Sequence, residues 1–228
     1  MLNLSLVFFR RQIEVQNNKM FGKGLSKGFT LVELLIVIAL IGVLSVAVLS
    51  TLNPIEQVNK ASDSSRKNDA AEILSAVERY YATQQKYPWD SQDVSRSPAD
   101  AYGGNVNFGG VGICALDGGI SAEGDCDSDG VLLSTDELKS AFRSKSYLRN
   151  NATYTDKIYL FKEADSTSGS TGNISVCFVP KAKSNRNDKS KLYSLTVDGN
   201  DVVTAKGACS EDPTWTSQST SCYMCVPE

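Results

Sequence analysis

Residues 27–49 read KGFTLVELLIVIALIGVLSVAVL. From Phe29 to about Leu52 the run is predominantly apolar, with Glu33 as its one charge. A stretch of about 20 apolar residues is long enough to cross the hydrocarbon core of a membrane as a helix. Its length and lack of internal proline favour helix over strand, although it is too uniform to show a period. Gly42 lies in its middle and Asn53-Pro54 ends it. A carboxylate inside such a helix costs about 2.5–3.5 kcal/mol on insertion scales. Glu33 therefore needs either a partner or a place near the headgroups.

Charge divides at the same point. Residues 1–28 carry Arg10, Arg11, Lys19, Lys23 and Lys27 against Glu14, a net +4. Of the 23 basic and 26 acidic residues this leaves 18 and 25, so the rest of the chain has a net charge of −7. A basic flank before an apolar run keeps that end in the cytoplasm, which places the acidic part outside. An acidic exported domain argues against nucleic-acid binding, which needs basic surface. Residues 1–28 read as a cleaved leader. The order is reversed from an ordinary secretory signal, because a cut after Gly28 leaves the apolar run on the mature protein. Met20 offers a second start, with the shorter leader MFGKGLSKG.

Helical spacing resumes beyond the apolar run at Ile55, Val58, Ala70, Ile73, Leu74, Val77 and Tyr81. It is interrupted by a polar stretch, Asn59 to Asp69, expected to be exposed or to contact a partner. Tyr87-Pro88 ends the pattern. The expectation is one long helix from about Phe29 to about Gln85, with a break near Gly42 or Pro54. Residues 88–130 read as a long loop rich in Gly, Ser, Asp and Pro. Ser134 followed by Glu137 has the form of a capping box, predicting a short helix over 135–148 with Leu138 and Phe142 on one face. Strands are predicted at Lys157–Lys162, Ile174–Phe178, Leu192–Val197 and Asp201–Thr204, with Asp198-Gly199 as a hairpin turn. The tail from Cys209 to Glu228 reads as irregular. The fold class is α+β: a long N-terminal helix, membrane-spanning over 29–53 and amphipathic over 54–87, packed on a small antiparallel sheet of three or four strands. The exported head covers 88–228, with disulfide-braced loops.

All six cysteines, Cys114, Cys126, Cys177, Cys209, Cys222 and Cys225, follow the apolar run. An even number in an exported segment points to disulfides. Cys114–Cys126 would close the long loop. For the other four, three pairings are open, and Cys177–Cys209 with Cys222–Cys225 is preferred. Cys222-x-x-Cys225 with Cys177 and Cys209 also has the make-up of a zinc site or redox pair. Asp125, Asp127 and Asp129, followed by Gly130, fit the first half of a calcium loop. Val131 would add a backbone carbonyl and Asp136 stands at the twelfth position, with Glu137 as its substitute; the competing reading is an acidic solvated turn. Histidine is absent, which removes the commonest general base. There is no Gly-rich phosphate loop and no G-x-S-x-G, so an enzyme is the least favoured class. Asn151-Ala152-Thr153 and Asn173-Ile174-Ser175 are acceptor sequons of a kind that recurs by chance.

Lys27-Gly28-Phe29-Thr30-Leu31-Val32-Glu33 resembles the processing site of type IV pilins and of the pseudopilins of type II secretion. The resemblance covers residues 27–88 best, including the Tyr87-Pro88 exit. It implies a pilin-like fold, cleavage between Gly28 and Phe29 by a membrane-embedded prepilin peptidase, and N-methylation of Phe29. It further implies waiting in the cell membrane as a single-pass protein, then assembly on an inner-membrane platform with other copies and related pilins. The implied destination is an extracellular pilus (fimbrium), or a periplasmic filament for a pseudopilin. The acidic residue at the position of Glu33 is thought in that family to set subunit register, and here Glu33 lies one turn from the new Phe29 amine. The alternatives are a type II secretion pseudopilin and, more distantly, a monomeric membrane-anchored binding module.

Overall fold

The computed structural model describes residues 28–51, 53–92, 95, 97–106, 109–115, 126–149, 151–166, 172–210 and 212–227. It forms two compact units, Met1–Leu52 and Asn53–Glu228.

In the first unit, α1 spans Leu31–Thr51. Leu31–Leu49 is long and apolar enough to cross a membrane; its 19 residues would extend about 28 Å at 1.5 Å per residue. Its large apolar side chains are exposed all round, even the least of them, Val37, at 44%. No break occurs at Gly42.

The second unit opens with α2, Pro54–Gln84. Of the two expected break points, the helical stretch divides at Asn53-Pro54. The cause is local: Pro54 cannot donate to the preceding turn, while its fixed φ suits a first helical position. The Asn53 side chain accepts from the Glu56 N–H at 3.2 Å and caps the new helix. Gln85, left-handed at φ 57°, ends it.

The buried stripe of α2 runs Asp63, Arg66, Ala70, Ile73, Ala76, Val77 and Tyr80. The polar stretch thus faces its own head, whereas Ile55 and Val58, expected on the packed face, are exposed. The helix α3, Pro88–Gln92, follows. Tyr81, Tyr87, Trp89 and Tyr102 stack in sequence with ring centroids 4.4, 4.8 and 4.4 Å apart, fixing this exit against α2. The ammonium of Lys162 lies 5.5 Å from the Tyr87 ring and is held by Asp165 at 2.9 Å and the Glu163 carbonyl at 3.0 Å. Burial pushes the Tyr87 hydroxyl up to about 12.

The sheet has six described strands rather than three or four: β1 Tyr102–Asn105, β2 Ile158–Lys162, β3 Ile174–Phe178, β4 Leu192–Val197, β5 Val203–Ala208 and β6 Tyr223–Val226. Their order is β1-β2-β3-β6-β4-β5, with every pairing antiparallel. Alternation along the strands separates two cores. Ile158, Leu160, Val176, Phe178, Leu192 and Met224 join the apolar stripe of α2. Tyr159, Phe161, Cys177, Leu195, Val203, Tyr223 and Cys225 form the other. The sheet curls until its edges meet: the Asn105 N–H donates to the Asp201 carbonyl at 3.2 Å. Gly103 permits this approach, since a Cβ there would lie 2.0 Å from the Val203 carbonyl oxygen.

Two expectations are corrected here. The tail is not irregular throughout, because β6 lies between β3 and β4. The expected helix over 135–148 is replaced by α4, Val131–Ser134, and 3-10 turns at Ser140–Ser144 and Ser146–Leu148. The Ser134 and Thr135 hydroxyls donate backward to the Val131 carbonyl, and Asp136 adopts a left-handed φ of 58° that ends the turn. Leu138 and Phe142 are nonetheless buried in the core. α5, Lys183–Asn187, completes the helices.

Cys114–Cys126, Cys177–Cys225 and Cys209–Cys222 are bonded. Cys177–Cys209 and Cys222–Cys225 do not form. Cys177 and Cys225 are direct cross-strand partners on β3 and β6, with Cα atoms 4.0 Å apart. Residues three apart on extended chain are separated by about 10 Å, beyond the reach of a bridge.

Candidate functional site: the head of the apolar helix

Phe29 and Thr30 lead into α1, and Phe29 is 79% exposed. Thr30 and Glu33 close on each other. The Glu33 N–H donates to Thr30 Oγ1 at 3.2 Å. In return the Thr30 N–H and hydroxyl both donate to Glu33 Oε2 at 2.9 Å. This is a capping box, in which orphan donors of the first turn are satisfied reciprocally. The carboxylate also sits where the helix dipole favours negative charge. Glu33 thus has a partner inside the uncut chain. Sequence reading passed over Thr30 although T-x-x-E was legible, and applied the same signature to Ser134–Glu137, where it does not form a cap.

Residues 24–49 match the family described as the prokaryotic N-terminal methylation motif. The chain carries the type IV pilin and pseudopilin signature. The methylation motif spans Gly28, Phe29 and Glu33 together with nearly all of α1, and it leaves the head outside the match. No curated protein and no solved structure gives a significant match. The motif supports a type IV pilin- or pseudopilin-like precursor. With α1 it fits membrane anchoring before assembly. Of residues 1–28, expected to be a leader, only Gly28 is among the described residues.

The head is fastened along the polar side of α2. Asp63, buried, accepts from the Lys181 and Ala182 N–H groups at 2.8 and 2.9 Å and from Asn185 Nδ2 at 2.8 Å. Glu56 accepts from the Lys183 and Ser184 N–H groups, both at 3.2 Å. The Lys183 N–H holds its carboxyl below the usual range. Arg66 donates to the Thr155 carbonyl and the Asp156 carboxylate. Asp69 pairs with Lys145 at 2.8 Å, Glu72 with Lys139 at 3.1 Å and Glu137 with Arg79 at 3.0 Å. Burial works to raise the Asp156 carboxyl, but hydrogen bonds from Lys181, Thr153 and Arg66 outweigh it and hold it at about 2. Asp63, Arg66 and Asp69 lie in the stretch whose role the sequence left between solvent and partner.

Three residues of the calcium reading, Asp129, Val131 and Glu137, have other engagements. Asp125 lies outside the described residues. Asp127 is exposed. Asp129 takes both ends of the Arg143 guanidinium, Nε at 2.9 Å. The Val131 carbonyl accepts from the Thr135 N–H at 3.1 Å and its hydroxyl at 2.6 Å. Asp136 is exposed, and Glu137 is held by Arg79. Among the described residues no three His, Cys, Asp or Glu side chains come together as a metal site. All six cysteines are in disulfides, which removes the zinc and redox readings.

Proposed function

We propose that the chain is a structural subunit of a type IV pilus or related filament. Prepilin peptidase cuts between Gly28 and Phe29, and Phe29 is N-methylated. The subunit waits in the membrane on α1, then joins other copies helix against helix on the inner-membrane assembly platform, the head facing outward. The observation that carries this reading is the methylation motif laid over α1, a helix with apolar side chains exposed on every side. Such a surface needs either lipid or neighbouring helices.

In the cut chain the Phe29 amine enters beside a carboxylate already held by Thr30. Glu33 then has two claims on it: the capping donors and an amine, its own or that of a neighbouring subunit. An unpaired charge in the packed core is costly, so the amine that reaches Glu33 sets the axial register. Calcium at 125–136 is retained as a proposal in one form only: the ion must take Asp129 from Arg143.

The test is co-expression of the full chain with a prepilin peptidase and mass analysis of the product. The expected product begins at Phe29 and is one methyl group heavier than the unmodified sequence. A product that begins elsewhere, or an uncut chain, overturns the assignment.

A further inference from the structure

We infer that residues 181–191 form a basic surface that rests on anionic phospholipid headgroups while the subunit waits in the membrane. The inference builds on the anchored reading above. The segment KAKSNRNDKSK has five basic residues and one acidic, a net +4 in a mature chain of net −7. The remainder of that chain is therefore −11, so the segment is locally basic on an acidic protein.

Its position follows from chain connectivity and two anchors. Glu56 and Asp63 bind the backbone N–H groups of residues 181–184. Glu56 is seven residues beyond Leu49, the end of the candidate span. Four of the six intervening residues, Ser50, Thr51, Pro54 and Ile55, are helical. At 1.5 Å per helical step and about 3.5 Å per extended step, Glu56 is within about 17 Å of the span's end. The backbone of Lys183 and Ser184 is thereby held to a residue that the chain itself keeps near the end of the span.

The surface is also suited to the headgroup layer chemically. A groove of about 640 Å³ is lined by Lys183, Arg186, Lys189, Asp212 and Trp215, among others. The Arg186 guanidinium lies 4.6 Å over the Trp215 ring, and Trp215 holds a left-handed φ of 58°, costly for a bulky side chain. Tryptophan is enriched at membrane–water interfaces, and basic clusters beside a span favour anionic lipid. Lys183, Lys189 and Lys191 are exposed. Asp212 lies 3.9 Å from Lys189 and Asp188 3.6 Å from Lys191, both pairs solvent-exposed and weak.

The experiment uses the full chain in vesicles of phosphatidylcholine, with and without phosphatidylglycerol, each containing a headgroup-nitroxide lipid. Trp89 is 2% exposed, so quenching of tryptophan fluorescence reports Trp215, and a Trp215→Phe control removes that signal. Quenching is expected to be at least about twofold greater with phosphatidylglycerol. It should fall to the phosphatidylcholine level in Lys183→Gln/Lys189→Gln/Lys191→Gln and in about 0.5 M salt. Equal quenching on both compositions overturns the inference. So does quenching that rises with protein density at fixed lipid composition, which would assign the surface to the acidic head of a second copy. A chain that alkaline carbonate strips from the vesicles overturns the anchor itself, and this inference with it.

Discussion

Thr30 caps Glu33 and Glu33 caps Thr30, at the first turn of the helix that the methylation motif covers. The charge in the apolar run is thus held in place before any cut is made. Thr30→Val keeps the shape and removes the hydroxyl, at a cost of about 0.5–2 kcal/mol to the helix start. Glu33→Leu removes the charge altogether. Both variants are expected to be processed at Gly28–Phe29, with filament yield in the sheared fraction reduced for Thr30→Val and lost for Glu33→Leu. Normal yield from Glu33→Leu would mean that register is set elsewhere.

Asp63 fastens α2 to the head through three accepted hydrogen bonds. Replacing it by Ala leaves the Lys181 and Ala182 N–H groups without their acceptor, one of them buried. A lost charged acceptor with buried donors behind it costs about 2–4 kcal/mol. For a domain of this size that lowers Tm by roughly 5–15 °C. Calorimetry of the detergent-solubilised chain measures it. Ser64→Ala, on the exposed neighbour, should leave Tm unchanged.

These fastenings show why parts of the fold were hidden in the sequence. Helix α1 was legible from length alone, and the Ile73–Tyr80 stripe from its period. The burial of Asp63 and Arg66 was not, because their partners are backbone groups and side chains about 90–120 residues away, which leave no trace in a local residue pattern. Strand β1 contains Gly103-Gly104 and has no alternation to read; it is a strand because β2 pairs with it. Strand β6 is four residues long, and only its pairing with both β3 and β4 makes it central. At the candidate site, Glu33 stands out as the one charge in an apolar run, whereas Thr30 acquires its role only through the hydrogen bonds it shares with Glu33.

Acid should loosen the head in a defined window. The Asp156 carboxyl titrates at about 2 against an ordinary 3.8, and those of Asp165, Asp201 and Glu56 are also lowered. Because each is lower folded than unfolded, folding favours the ionised form. The resulting stability is complete above the unfolded values and is lost as pH falls through the folded ones. Tm should therefore be level from pH 7 to about 5 and decline between about 4 and 2. Asp156→Asn should lower Tm at neutral pH and flatten the decline. A Tm that rises on acidification would contradict the assigned directions.

The disulfide pattern is testable without any variant. Non-reducing digestion should release the linked peptides Cys114–Cys126, Cys177–Cys225 and Cys209–Cys222, with no link between Cys222 and Cys225. The Cys177–Cys225 bridge closes the longest loop, 48 residues, and both its residues are fully buried. A loop of that length is worth about 4 kcal/mol in the chain-entropy account, against about 3 for the two shorter ones. Cys177→Ser/Cys225→Ser should accordingly lower Tm more than Cys209→Ser/Cys222→Ser.

Calcium can be decided by competition. Arg143 holds both oxygens of Asp129, the Val131 carbonyl is taken by Thr135, and Arg79 holds Glu137. An ion at 125–136 would have to displace Arg143 and gain Asp125, Asp127 and Asp136. In the unmodified chain, millimolar calcium is expected to move Tm by less than about 1 °C. If the segment is a calcium loop held closed by its arginine, Arg143→Ala should turn that null result into a rise of several degrees, abolished by a chelator. No rise in Arg143→Ala leaves the acidic segment as a solvated turn beside the Cys114–Cys126 bridge. A large rise in the unmodified chain would mean that the loop rearranges on binding, with Asp129 leaving its arginine.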